Sequence, residues 1–311
     1  MVASLWPRQL DERRFPVRAR LYRPEPEVQV LIHVQRPEQP RGEVILVHGL
    51  EGSSDSHYMR SLAQALLEAG FQCHRFNQRG CGGTEFLSNT LYHAGLTSDL
   101  FAFLTELDRQ RRTPVFLVGF SLGGNTVLKL AGEMGDDGYR LIAGVCAVST
   151  PLELAACTRR LQEPQNWLYE RMFVRSMKRR LRLRHKVMPE RFPIDGLGRV
   201  RTVFDFDDRI TAPAFAFRGA EHYYDTQSCA RFLDAIGVPA LLIQAQDDPM
   251  IPFEVYDHPA FRRNRNLRLL SVEHGGHVGF VSRGRPRFWA DHRIVEWILD
   301  ERNKSAPPGV G

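Results

Sequence analysis

The 311-residue chain has no apolar run approaching the roughly 20 residues that a membrane-spanning helix needs; the longest, Leu141 to Val148, has the length of a buried strand. Its first residues, Met1 to Arg8, lack the apolar stretch of a secretory leader. Both absences point to a cytoplasmic protein, with contact to membranes at most peripheral. Cysteine is scarce: Cys73, Cys81, Cys146, Cys157 and Cys229 are odd in number, scattered, and form no C-x-x-C pair. That suggests neither a disulfide framework nor a zinc site. Cys73 and Cys146 lie in strand-like runs and read as small core residues. Neither G-x-G-x-x-G nor a P-loop is present. The glycine-rich turn Asn77 to Thr84 has the wrong spacing for either, and reads as a strand-end turn anchored by Arg79.

Forty-two Lys and Arg against 36 Asp and Glu give a formal charge of +6. The excess is partly local, since Arg171, Arg175, Lys178, Arg179, Arg180, Arg182, Arg184 and Lys186 fall in one stretch. A solvated helix face explains such a run; attraction to anionic lipid head groups is the functional alternative. No nucleic-acid module accompanies the charge, so nucleic-acid binding is not expected.

Strand and helix patterns alternate along the chain. An edge hairpin is expected over 18–35, broken by Pro24 and Pro26. Val44–His48 has the continuous apolar character of a strand buried on both faces. A helix over 57–69, with Met59, Leu62, Leu66 and Leu67 on one side and Gly70 as C-cap, leads to a strand over 71–76. A helix over 96–108, strand 115–118, a helix to about Met134 and strand 141–148 follow. From Pro151 to Pro213 the pattern turns helical and basic. A helix near 227–236, strands 240–246 and 267–272, and a helix over 287–303 complete the chain. The fold class is therefore α/β: a mostly parallel sheet with helices on both faces and a helical lid insertion. The expected core is 1–150 with 214–303, the lid 151–213, and the Pro/Gly-rich tail 304–311 disordered.

Gly119-Phe120-Ser121-Leu122-Gly123 joins the strand at 115 to the next helix. A serine at the apex of G-x-S-x-G in strand–turn–helix context is a nucleophile elbow. A serine hydroxyl needs a base, and a carboxylate to orient that base. Asp247-Asp248-Pro249 follows the strand at 240, and His274-Gly275-Gly276-His277 follows the last strand. Both loops leave the carboxyl edge of the sheet, where ligands bind in open α/β folds. Asp248 is favoured over Asp247 because Ile251-Pro252 is spaced from it as Asp-x-x-hydrophobic-Pro. His277 is favoured over His274 because it follows Gly-Gly. Asp247 then caps a turn. An oxyanion needs two backbone N–H donors: Leu122, after the serine, and Leu50, in the turn His48-Gly49-Leu50-Glu51-Gly52. His48 itself reads as a structural hydrogen-bonder.

V-H-G-L-E-G-S at 47–53, R-F-N-Q-R-G-C-G-G at 75–83, Y-H-A-G at 92–95, G-F-S-L-G-G-N at 119–125, D-D-P at 247–249 and H-G-G-H-V-G-F at 274–280 together resemble the YheT-like α/β-hydrolases, relatives of the eukaryotic abhydrolase-domain lipases. F-D-D-R-I-T-A-P at 206–213, with Tyr223 and Tyr224, also looks like that family's pattern. Residues 1–40 depart from it, carrying no N-P-H-x-Q-T-like segment. The resemblance implies carboxylesterase or acylglycerol-lipase-like activity, with Ser121, Asp248 and His277 as triad and no metal or organic cofactor. The expected substrate is a small-molecule or lipid ester. Thioester hydrolysis or acyl transfer could use the same serine, although no H-x-x-x-x-D signature is present; a non-catalytic binding protein on this fold would usually lack a triad member.

Overall fold

A computed structural model of the chain describes residues 10–110 and 113–305. It opens with an antiparallel hairpin of β1 (Arg18–Glu25) and β2 (Val28–Gln35). The chain then alternates β3 (Glu43–Val47), α1 (His57–Glu68), β4 (Gln72–Phe76), α2 (Ser98–Gln110), β5 (Val115–Phe120), α3 (Leu122–Met134) and β6 (Gly144–Val148). A long helical segment follows, containing α4 (Leu154–Leu161), α5 (Trp167–Val187), α6 (Val203–Phe206), α7 (Ala212–Ala214) and α8 (Ala220–Gln227). β7 (Ala240–Ala245), α9 (Ala260–Arg263), β8 (Leu267–Val272) and α10 (Trp289–Ser305) close it. The eight strands form one sheet in the order β1-β2-β4-β3-β5-β6-β7-β8. Strands β3 to β8 are mutually parallel, and β2 runs antiparallel to both its neighbours, β1 and β4.

The sheet divides the interior because successive strand residues point to opposite faces. In β3, Ile45 and Val47 join a core beneath α2 and α3, where Phe103, Leu104 and Val127 pack. Val44 and Leu46 join a second core under α1 and α10, with Met59, Leu62, Ile294 and Trp297. Every residue of β3, β5, β6 and β7 is buried, as a sheet covered on both sides requires. The expected α/β class and parallel sheet are thus borne out. Cys73 and Cys146 are fully buried, on β4 and β6.

Two elements differ from expectation. Strand β6 starts at Gly144, because the N–H groups of Leu141 and Ile142 both donate to Gly138 O and hold those residues in a turn. The helix expected near 227–236 is a 3-10 turn over Cys229–Ala235. Its first N–H groups are taken by acceptors distant in sequence, Cys229 N–H by Asn125 Oδ1 and Ala230 N–H by Leu152 O. Lys304 and Ser305 belong to α10; the rest of the expected tail, like Met1 to Arg8, lies outside the described residues. No described helix is long and apolar enough to cross a membrane.

Candidate active site

Ser121 stands where β5 turns into α3, with φ 52° and ψ −123°. That backbone conformation is costly for a residue with a Cβ and persists only where the surroundings impose it. Here they do. Ser121 N–H donates to Val148 O on the neighbouring strand, and Ser121 O accepts from the N–H of Gly124. A Cβ at Gly123 would lie 2.4 Å from Val47 O and 2.5 Å from His48 O, so only glycine lets α3 cross β3 at this distance. Other non-glycine residues with positive φ gather at the same sheet edge: Glu51 after β3, Ser149 after β6, and Val278 and Phe280 after β8.

His277 comes to Ser121 from the loop after β8. Its Nε2 is 3.0 Å from Ser121 Oγ, and its Nδ1 is 2.9 Å from Asp248 Oδ2. An ionised carboxylate only accepts hydrogen bonds. Nδ1 therefore carries the proton, and Nε2 faces the serine hydroxyl as acceptor. Asp248 is 2 % exposed, and its other oxygen accepts from the N–H groups of Met250 and Ile251 at 2.9 and 3.2 Å. Its neighbour Asp247 turns the other way and caps the histidine loop through the N–H groups of Gly275 and Gly276, both at 2.8 Å. Although burial opposes it, these donors and His274 hold the Asp247 carboxyl below the usual range. His274 is exposed, its Nδ1 3.3 Å from Asp247 Oδ2.

The turn after β3 approaches the serine from the far side. His48 is buried, donates from Nδ1 to Gly49 O and accepts the Gln78 N–H at Nε2. Burial lowers its pKa to about 4, so it is neutral and spent on structure. The N–H of Gly49 donates to Tyr58 and that of Glu51 to Tyr92, each at 3.0 Å. Between them, the N–H of Leu50 has no acceptor among the described residues, and neither has that of Leu122 at the start of α3. Both residues line the cavity with Ser121 and His277.

That cavity measures about 100 Å³. Leu154, Leu161, Phe173, Met177 and Leu181, from α4 and α5, make much of its wall. One tie from this segment reaches the acid loop: Asn166 Nδ2 donates to Pro249 O at 2.7 Å. A second reaches the turn after β3. Arg180 pairs with Glu51, stacks 4.5 Å from the Tyr92 ring centroid and places Nη1 2.8 Å from Cys81 Sγ.

Sequence reasoning had no role for Tyr58, Tyr92 or Asn166, and read Arg180 only as part of a basic run. The Y-H-A-G segment was the available signal. Tyr92 holds the turn beside Leu50, Ala94 O accepts from Asn125 and Thr126 on α3, and Ala94 N–H donates to Tyr223. Asp207 of F-D-D-R also lines the cavity, accepting from Tyr224 and Thr211 at 2.7 Å. Arg79 forms a two-pronged pair with Asp99, both contacts 2.6 Å, as an anchor should. No cluster able to hold a metal ion occurs among the described residues.

The α/β-hydrolase-fold family model matches residues 43–283. The chain belongs to this family. It is 32 % identical over 269 residues to the "Putative esterase YheT" of Escherichia coli (strain K12), covering 85 % of this chain and 78 % of that protein. It is 28 % identical to "Phospholipase ABHD3" of Mus musculus over 79 % of this chain, spanning 60 % of that protein's length. Among solved structures, the Pyrococcus furiosus esterase Pf2001 matches with a TM-score of 0.61 at 18 % identity, over 94 % of this chain and 98 % of that one; at that identity the likeness speaks for the fold alone. The relationship to YheT-like hydrolases and abhydrolase-domain proteins inferred from the motifs is borne out, and the relatives' names place this α/β hydrolase in the esterase and lipase type.

Proposed function

We propose that the chain is a serine hydrolase of carboxylic esters that works through an acyl-enzyme. The observation that carries this reading is the hydrogen-bonded relay from Ser121 through His277 to Asp248 at one end of a largely apolar cavity. Ser121 Oγ attacks the ester carbonyl carbon while His277 Nε2 takes its proton. The N–H groups of Leu50 and Leu122 hold the resulting oxyanion. Asp248 fixes the imidazole tautomer and stabilises the imidazolium. When the tetrahedral species collapses, the C–O bond to the alcohol breaks and His277 gives that oxygen its proton. Water, deprotonated by His277, then attacks the acyl-enzyme. The acid leaves and Ser121 regains its hydrogen.

Residues 151–213 form the cap in this scheme, and the aliphatic wall they contribute suits an acyl chain. The five cysteines, all free and buried, suit a reducing compartment such as the cytoplasm. The test is turnover of p-nitrophenyl esters and labelling by a fluorophosphonate. Ser121→Ala should lose both, with kcat down by roughly 10⁴-fold or more. An Ala variant that keeps full turnover would overturn the assignment. A series of acyl lengths reads the cap: preference for short chains removes the lipase form of the proposal and leaves the esterase form.

A further inference from the structure

Helix α5 is two-faced in an unusual way. Its inner side, with Phe173, Met177, Arg180 and Leu181, lines the Ser121 cavity. Eight of its residues are Lys or Arg and one, Glu170, is acidic. Two of the cations point inward and have protein partners: Arg180 pairs with Glu51, and Arg184 donates to Glu85 O and Ser88 O and stacks on Phe192. The acid points inward too, its side chain accepting from Val203 N–H at 3.1 Å.

The remaining six are Arg171, Arg175, Lys178, Arg179, Arg182 and Lys186. At 100° per residue they fall within an arc of about 100°, on the side away from the cavity, and the row is about 22 Å long. All but Lys178, whose ammonium donates to Val200 O, are exposed. Among the described residues, no carboxylate forms an ion pair with any of the six. A solvated helix face normally interleaves acids with bases at i,i+4. Here 171/175, 175/179, 178/182 and 182/186 are all like-charged, and no carboxylate among the described residues pairs with them to relieve the repulsion. Two large apolar side chains border the row, one at each edge: Trp167, 60 % exposed, and Met172, 53 % exposed.

We propose that the outer face of α5 is a docking surface for an anionic lipid bilayer. The helix lies flat on the head groups, the five exposed cations meet the lipid phosphates and carboxylates, and Trp167 and Met172 enter the interface. A second copy of the chain is disfavoured, because a row of cations would face its like. The bordering Trp and Met and the aliphatic cavity on the other side of the same helix favour a bilayer over a nucleic acid. Docked in this way, α5 is the wall between the membrane and the cavity. The consequence for catalysis rests on the serine-hydrolase reading; the docking does not.

The test uses the full chain as Ser121→Ala, so that binding is read without turnover. Phosphatidylcholine vesicles with and without about one-third phosphatidylserine are sedimented at low and high salt. Binding is expected only with phosphatidylserine, weakening as salt rises, with a blue shift in tryptophan emission that Trp167→Phe removes. Each cation should contribute about fivefold to affinity, so Arg171→Gln/Arg175→Gln/Arg179→Gln/Arg182→Gln should lose several hundred-fold. The same four changes in the serine-containing chain should leave hydrolysis of soluble p-nitrophenyl butyrate unchanged. Should the fourfold variant melt early, Arg171→Gln/Arg175→Gln carries the test, with about 25-fold expected. Failure to bind phosphatidylserine vesicles, binding that survives these substitutions, or preferential binding of a single-stranded oligonucleotide over vesicles would each overturn the proposal. A chain that docks but never turns over an ester would instead overturn the hydrolase reading alone.

Discussion

Gly123→Ala is the substitution in which the elbow's geometry can be read as a rate. The added Cβ would sit 2.4 Å from Val47 O and 2.5 Å from His48 O. Both are main-chain atoms at the end of a fully buried strand, so neither can swing aside as a side-chain tip could. To reach even 3.0 Å, α3 must back away from β3 by roughly 0.6 Å. Overpacking of this kind typically costs about 1–3 kcal/mol, a fall of roughly 1.5–5 °C in Tm for a chain of this size. Ser121 immediately precedes α3 and moves with it, out of register with an imidazole now 3.0 Å distant. Displacements near 1 Å at a reacting centre cost about a hundredfold, so kcat should drop roughly ten- to a hundredfold, with KM changing less. Gly198→Ala is the matched control, since nothing lies within 4 Å of its added Cβ. Stopped-flow hydrolysis of a p-nitrophenyl ester with a parallel thermal melt reads both quantities. If Gly123→Ala matched Gly198→Ala in kcat and Tm, the close crossing of α3 over β3 would not be what positions the serine.

Glu51→Gln should destabilise the protein by about 3–5 kcal/mol, because it strands the Arg180 guanidinium in a buried site without its carboxylate. Adding Arg180→Met should restore much of that loss; urea unfolding in which the two changes simply add would disprove the coupling. Asp207 responds to pH. Burial pushes its carboxyl up to about 6 from 3.8, against the hydroxyls of Tyr224 and Thr211 that favour the ionised form. The folded state thus holds the proton more tightly than the unfolded state, and this residue's contribution to stability declines as pH rises from about 4 through 6. Relative to Asp207→Asn, the wild type should lose about 2 kcal/mol between pH 4.5 and 7.5; parallel urea midpoints for the two proteins across that range would contradict it.

The strands were legible because burial on both faces leaves an unbroken apolar run, as in Val44 to Val47, and that signal is local. Glycine capping and helical spacing placed α1 for the same reason. Where the expectation slipped, the decisive contact was distant in sequence. The segment at 229–235 is tied at its start, Cys229 N–H to Asn125 Oδ1 and Ala230 N–H to Leu152 O, and neither partner can be read from the segment itself. Leu141 and Ile142 are as apolar as the strand that follows, and their N–H groups, turned to Gly138 O, separate them from it.

The candidate site divides along the same line. Ser121, Asp248 and His277 could be named because each sits in a short loop that advertises itself by glycine or proline and follows a strand of one sheet. What holds that constellation in place has no such signature. Tyr92 and Arg180 brace the turn at Glu51 from 41 and 129 residues away, and Asn166 reaches Pro249 across 83. A pattern of neighbours cannot encode such contacts, so α5 read as one basic stretch of the lid, either a solvated face or one drawn to anionic lipid. Its true division, two cations turned inward to the protein and six turned outward with no carboxylate partner among the described residues, is a property of the packed helix. That division is also why the two faces of α5 need separate tests. Substitution of Arg180 acts on the turn beside Leu50 and should appear in stability and turnover, while substitution of Arg171, Arg175, Arg179 and Arg182 should appear only when a charged surface is present.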